Sequence, residues 1–195
     1  MLFVRIRGMR MINNDLRTIR EQTMAEFEPA FEKMIRNEGG YVDHTVAGDR
    51  GGRTYAGITR NHHNDWDGWQ YLDRGDTDNP ALTGLVRDFY RENYWNRVRG
   101  DDIEDQAIAE SVFDFAVNAG VSTSSKLAQL VVNATPDGRI GPKTLAAINA
   151  VDGDSFVPRF ALAKVARYVE ICKRDRGQMK FMLGWLNRTL KGVSA

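Results

Sequence analysis

The sequence has one cysteine, Cys172, in 195 residues, so no internal disulfide can form and the chain depends on its core. No apolar run approaches the roughly 20 residues that cross a bilayer. The opening MLFVRIRGMRMINNDL is broken by Arg5, Arg7 and Arg10 and so lacks the apolar centre of a secretory signal. The expectation is a chain kept in the cytoplasm until something else releases it. Internal repeats and low-complexity tracts are missing too, which excludes solenoids and fibrous arrays. His44 and the adjacent His62-His63 have no cysteine or carboxylate at metal-ligand spacing, so a zinc site is not expected. No glycine motif that cradles phosphate occurs.

What remains is ordinary globular material, 42% hydrophobic and 27% charged, enough for one compact domain or one domain with a small satellite. A net charge of +1 conceals an uneven distribution: residues 1–20 carry +4, residues 155–195 carry +7, and the middle carries −10. Basic ends on an acidic body suit either an anionic partner surface or plain solvated helix faces. Nucleic acid is the weaker partner, because the basic residues are spread over several helices without a recognised module.

Helical periodicity dominates the chain. Thr23-Met-Ala-Glu26 reads as a capping box, followed by Phe27, Phe31, Met34 and Ile35 at helical spacing, with Gly39-Gly40 as the stop. Tyr55–Thr59 is the best strand candidate. Asn79-Pro80 opens a helix with Leu82, Leu85, Val86 and Phe89 on one face. Residues 103–119 read as a buried central helix with a polar stripe of Glu110, Asp114 and Asn118. Further helices are expected from Ser122, from Pro142, and over 155–174 and 178–190. The fold class is all-α, with a short extended or loop segment after Glu38 and a small helical C-terminal module. The expected division is an extension over 1–22, a main domain over 23–135 and a module over 136–195.

The segment RNEGGYVDHTVAGDRGGRTYAGIT, Arg36 to Thr59, concentrates six glycines around Glu38 and Asp49. Glu38 falls at the end of a helix, where the dipole disfavours a carboxylate and raises its pKa. A glycine-rich connection can then fold Asp49 and Thr54 back toward it. A protonated and an ionised carboxyl facing each other are the minimum for glycosidic cleavage, and a threonine hydroxyl can orient water. The same spacing also fits a plain surface turn. Tyr41 is the candidate for stacking on a sugar ring, Gly51 and Gly52 for letting the backbone pass close to one, and Asn118 for a minor contact. Asp137-Gly138…Gly141-Pro142 is either a wall-binding turn or simply a helix start.

EGGYVDHTVAGDRGGRTYAGIT resembles the signature of glycoside hydrolase family 108, the N-acetylmuramidases common as phage endolysins. It matches at Glu38, Gly39, Gly40, Tyr41, Asp49, Gly51, Gly52, Thr54, Gly57, Ile58 and Thr59. FDFAVNAG (113–120), DGRIGPKTLAAIN (137–149) and KFMLGWLNR (180–188) are similar to the family's later blocks and to the peptidoglycan-binding module that follows them. The resemblance implies a lysozyme-like fold and a monomer that cleaves peptidoglycan, with Glu38 as the catalytic acid and no metal or organic cofactor. Asp49 and Thr54 join Glu38 by analogy with the Glu…Asp…Thr arrangement of phage-type lysozymes. The basic C-terminal helices would add an anionic wall or outer-membrane surface as partner. A lytic transglycosylase using the same glutamate, or a non-catalytic peptidoglycan-binding or secretion-assisting protein, is the alternative.

Overall fold

The computed structural model describes residues 24–37, 39–45 and 52–193. Among them are the helices α1 (Phe27–Asn37), α2 (Trp69–Leu72), α3 (Pro80–Tyr90), α4 (Gln106–Ala119), α5 (Val121–Val131), α6 (Pro142–Asn149), α7 (Gly153–Arg174) and α8 (Met182–Lys191). A small sheet of β1 (Asp43–Thr45), β2 (Arg53–Tyr55) and β3 (Ile58–Thr59) interrupts them after α1. The mostly helical, lysozyme-like class expected from the sequence is the class observed.

Helix starts follow side-chain caps. Asn79 accepts from the Ala81 N–H (2.9 Å) ahead of Pro80, and Asp105 accepts from Ala107 and Ile108 (2.9 and 3.1 Å) at the head of α4. Asp105 begins α4 a few residues later than the apolar run suggests. The Glu26 N–H donates to the Gln106 side chain at 2.7 Å, and Thr23 of the expected capping box lies outside the described residues. Pro29 sits inside the first turn of α1, where backbone N–H groups have no intrahelical acceptor to lose.

The core is built on α4, buried along Ile108, Val112, Phe113, Phe115 and Ala116. Phe27 of α1, Trp95 and Phe113 form a triangle of rings with centroids 5.5 to 5.9 Å apart, each pair adding about 0.5–1.5 kcal/mol beyond its buried area. Trp95 is wholly buried, as a core aromatic should be, and its indole donates to Asp101 at 2.7 Å. Phe156 and Phe160 of α7 extend the same core, with Phe160 meeting Phe115 edge-on at 5.8 Å.

Tyr55–Thr59 is a hairpin rather than one strand. Tyr55 pairs with Ile58 and Thr54 with Thr59, and Ala56 and Gly57 turn between them at φ +48° and +82°. Two successive positive φ values give the turn whose twist suits a two-residue hairpin. Alanine at the first position is an uncommon choice, and the Tyr90 hydroxyl holds it there by donating to the Ala56 carbonyl at 2.8 Å.

Candidate active site

Helix α1 ends in a Schellman motif. The Gly40 N–H donates to the Ile35 carbonyl (2.9 Å) and the Gly39 N–H to the Arg36 carbonyl (3.3 Å), with both glycines at positive φ, +92° and +83°. Glu38 itself, Asp49 and Gly51 lie outside the described residues.

Beyond the stop, the chain enters the sheet. His44 of β1 lies opposite Thr54 of β2, and Asp43 opposite Tyr55. Thr54 is buried, and among the described residues its hydroxyl reaches the Gly52 carbonyl at 3.5 Å, the outer edge of a hydrogen bond. Gly52 takes φ +70°, and a Cβ there would stand 3.1 Å from the Asn61 side chain, so both conformation and space favour glycine. Tyr41 is 38% exposed between the helix stop and β1. Partial burial, with Glu32 nearby, raises its phenol above the ordinary value. Asn118 is exposed on the last turn of α4. Thr54, Tyr41 and Gly52 therefore share the strand-and-turn region after α1, while Asn118 belongs to a different element.

Asp43 is a carboxylate the sequence reading passed over, and it is fully occupied. Arg53 holds it through Nε (3.0 Å) and Nη2 (2.6 Å), and also donates to the Leu72 carbonyl (3.0 Å) and to Asp73 (3.3 Å). The guanidinium keeps Asp43 below the usual carboxylate range, which unfits it as a proton donor. Arg60 binds the other side of Asp73. This chain of pairs ties the sheet to the end of α2. An Asp at a strand start with an Arg ten positions on was the available signal, but the sequence alone does not reveal that the two strands pair.

The polar stripe of α4 faces two helices. Glu110 accepts from Lys33 of α1 and from Gln106, both at 3.0 Å, while Asp114 accepts from Asn37 at the end of α1 (3.4 Å) and from Arg188 of α8 (3.1 Å). Contacts 26–106, 33–110 and 37–114 climb together, so α1 and α4 run in the same direction. The stripe braces α1 and docks α8 against it. Lys164 and Arg188 are consequently not part of a solvated basic face: Lys164 is 7% exposed and Arg188 is paired inward. Trp69 is likewise buried, its indole donating to the His63 carbonyl at 2.6 Å.

The turn at 137–141 is built around Gln129, which is 1% exposed. Its amide donates to Asp137 (2.7 Å), the Arg139 carbonyl (3.0 Å) and Thr144 (3.2 Å), and its carbonyl accepts from the Gly138 N–H (2.9 Å). These bonds hold Asp137 ionised below the usual range. A shallow depression of about 870 Å³ opens beside the turn, lined by Asn133, Thr135, Arg139 and Lys143.

Comparison with known proteins meets this geometry directly. The family model described as Glycosyl hydrolase 108 matches residues 31–120, and the one described as Predicted Peptidoglycan domain matches residues 123–190. The solved structure of SagA from Brucella abortus is 32% identical, covering 86% of this chain and 91% of that one, with a TM-score of 0.62. The chain belongs to the glycosyl hydrolase 108 family. No curated protein gives a significant match. In this family member, the hydrolase match covers most of α1, the sheet and α2 through α4, and the peptidoglycan match runs from early in α5 through most of α8. A glycosyl hydrolase region joined to a peptidoglycan region makes the chain a peptidoglycan hydrolase. No helix among the described residues is long and apolar enough to cross a membrane.

Proposed function

We propose that this glycosyl hydrolase 108 protein is an N-acetylmuramidase, cleaving the β-1,4 bond between N-acetylmuramic acid and N-acetylglucosamine. The observation that supports the reading is the two-glycine stop at Gly39 and Gly40, which ends the braced helix α1 just before the small sheet. Glu38 is the proton donor to the glycosidic oxygen, in the role that a carboxyl group kept protonated by an apolar site can fill. Asp49 stays ionised and stabilises the oxocarbenium-like charge or holds water. Thr54, whose hydroxyl is barely engaged by Gly52, helps to orient that water. Tyr41, Gly51 and Gly52 line the glycan path, with Asn118 as a minor contact. Residues 23–135 form the catalytic region and 136–195 a peptidoglycan-binding module packed on it, behind an extension over 1–22.

The setting that suits this activity is host lysis by a phage or prophage endolysin, acting as a monomer and released to the wall by a separate membrane-permeabilising protein. Met179, Leu183 and Leu190 are 61%, 71% and 62% exposed, with Lys180 and Lys191 beside them in sequence; this basic, apolar strip supports contact with an anionic wall or outer-membrane surface.

Digestion of purified Gram-negative peptidoglycan by wild type and Glu38→Gln, followed by mass spectrometry of released muropeptides, tests the reading. Reducing N-acetylmuramic ends from wild type alone are expected. Anhydro ends would make the protein a lytic transglycosylase, and no release by wild type would leave a binding protein without turnover.

A further inference from the structure

Lys164 lies in α7 and is 7% exposed, yet its ammonium has no hydrogen-bond acceptor or ion-pair partner among the described residues. It lies instead against two ring faces, Phe160 at 4.8 Å and Phe115 at 5.1 Å. Cation–π attraction offsets part of the desolvation cost, but an ammonium carries three N–H donors and rings satisfy none of them fully.

The side chain lines a cavity of about 60 Å³ between α1, α4, α7 and α8. The cavity's carboxylates are already engaged, Glu110 by Lys33 at 3.0 Å and Asp114 by Arg188 at 3.1 Å. Lys164 and Lys191 are left over, so the pocket carries a surplus of positive charge. Its volume is room for about four waters or a small planar group, not for a pyranose ring. A larger depression of about 420 Å³ adjoins it and shares Lys33, Glu110, Ser111 and Gly192; Asp105, Asp152 and Asp154 make it acidic, so it suits the neutral or cationic part of an extended ligand whose carboxylate end enters the cavity.

We propose that this cavity is a carboxylate-binding site, with Lys164 as its central cation and a free carboxylate of a peptidoglycan stem peptide as its ligand. The proposal rests on the reading of peptidoglycan as substrate. The glycan backbone is mostly neutral, whereas the peptide stems carry carboxylates, so the charge of the pocket selects the peptide part. Binding there would seat the wall against α7, α8 and the braced face of α1 at once.

Burial lowers Lys164 to about 8, with Asp114 opposing the shift and Arg188 adding to it. The charged groups facing it are Lys33 on α1, Glu110 and Asp114 on α4, and Arg188 and Lys191 on α8, with the Tyr168 phenol on its own helix. A bound carboxylate favours the ammonium form, so affinity should hold below pH 8 and fall above it.

Calorimetric titration tests the site, using the Glu38→Gln protein so that nothing turns over. The probes are a disaccharide-tripeptide muropeptide with free carboxylates and the same muropeptide with every carboxylate amidated. At pH 7 the free form should bind at least tenfold tighter, and the preference should vanish in Glu38→Gln/Lys164→Met and shrink at pH 9. Replacing a buried unpaired ammonium by an apolar chain of similar shape is tolerated by folding, and the thermal midpoint checks this. NMR of the Lys164 ammonium adds a readout without mutating it, with its resonance moving on addition of the free form alone. Equal affinity for both muropeptides, or a preference that survives Lys164→Met with an unmoved Lys164 resonance, overturns the proposal. Because binding is read without cleavage, a failure here leaves the digest result standing, and the converse also holds.

Discussion

Gly39→Ala isolates conformation from packing at the candidate active site. A Cβ at Gly39 meets nothing within 4 Å, so the only penalty is the backbone at φ +92°. For an L-residue, the left-handed region costs about 1–2 kcal/mol. In a chain of this size that is a fall of about 2–8 °C in melting temperature. Asn accepts positive φ more readily than Ala, so Gly39→Asn should cost less. A protein of ordinary stability, about 5 kcal/mol or more, keeps over roughly 99% of its molecules folded after such a loss. Unfolding therefore cannot explain a large drop in rate at 25 °C. If the stop sets the aim of Glu38, a displacement of about 1 Å should cost about 100-fold in muropeptide release. Urea denaturation and initial rates of wall digestion on the same preparations measure both. The reasoning is refuted if Gly39→Ala loses about 1–2 kcal/mol but digests the wall within twofold of wild type. It is equally refuted if alanine costs nothing, since then φ is not held positive.

Two other perturbations test the Asp43–Arg53 pair and the turn held by Gln129. Asp43 is held below its ordinary value by Arg53, so its share of stability is present above the unfolded pKa of about 3.9 and is lost as pH falls through the lower folded value. Asp43→Asn should flatten the acid side of the melting-temperature profile below about pH 4; an unchanged acid limb would show that the pair contributes nothing. Gln129→Ala strands the Gly138 N–H and the Arg139 carbonyl, which at about 1–3 kcal/mol per unsatisfied group puts the cost near 3 kcal/mol. Denaturant unfolding should show that loss together with weaker retention on insoluble peptidoglycan, and a variant as stable as wild type would refute the account of the turn.

Much of the helical frame was legible because it is written in local signals. Asn79-Pro80, Gly120 and Gly141-Pro142 mark helix boundaries through rules that need no knowledge of the rest of the chain. The two-glycine stop after α1 was legible for the same reason. The hairpin at 55–58 was not, because Ala56 takes a positive φ that its residue type does not advertise and that Tyr90, 34 positions away, supports. The partner of Asp43 and the burial of Lys164 were hidden likewise. A lysine reads as solvated from sequence, and only the packing of α7 against α4 puts this one beneath two phenylalanine rings. Resemblance supplied the activity, and local physics supplied the reason that position 38 follows a helix and precedes a turn.

The bracing of α1 bears on why the two family regions belong to one chain. Asp114 lies within the hydrolase match, but one of its two described partners, Arg188, comes from the end of the peptidoglycan match. Its other partner, Asn37, is the last residue of α1. A half-buried carboxylate deprived of its cation loses several kcal/mol of compensation or draws water into the gap. The wall-binding half therefore helps to hold the last turn of α1, immediately before the glycine stop. Anything that shifts α8, including a ligand entering the Lys164 cavity, acts on the same carboxylate that steadies α1. Asp114 thus joins the end of the peptidoglycan match to the last turn of α1 by direct contact, alongside the packing of α7 on α4 through Phe160 and Phe115.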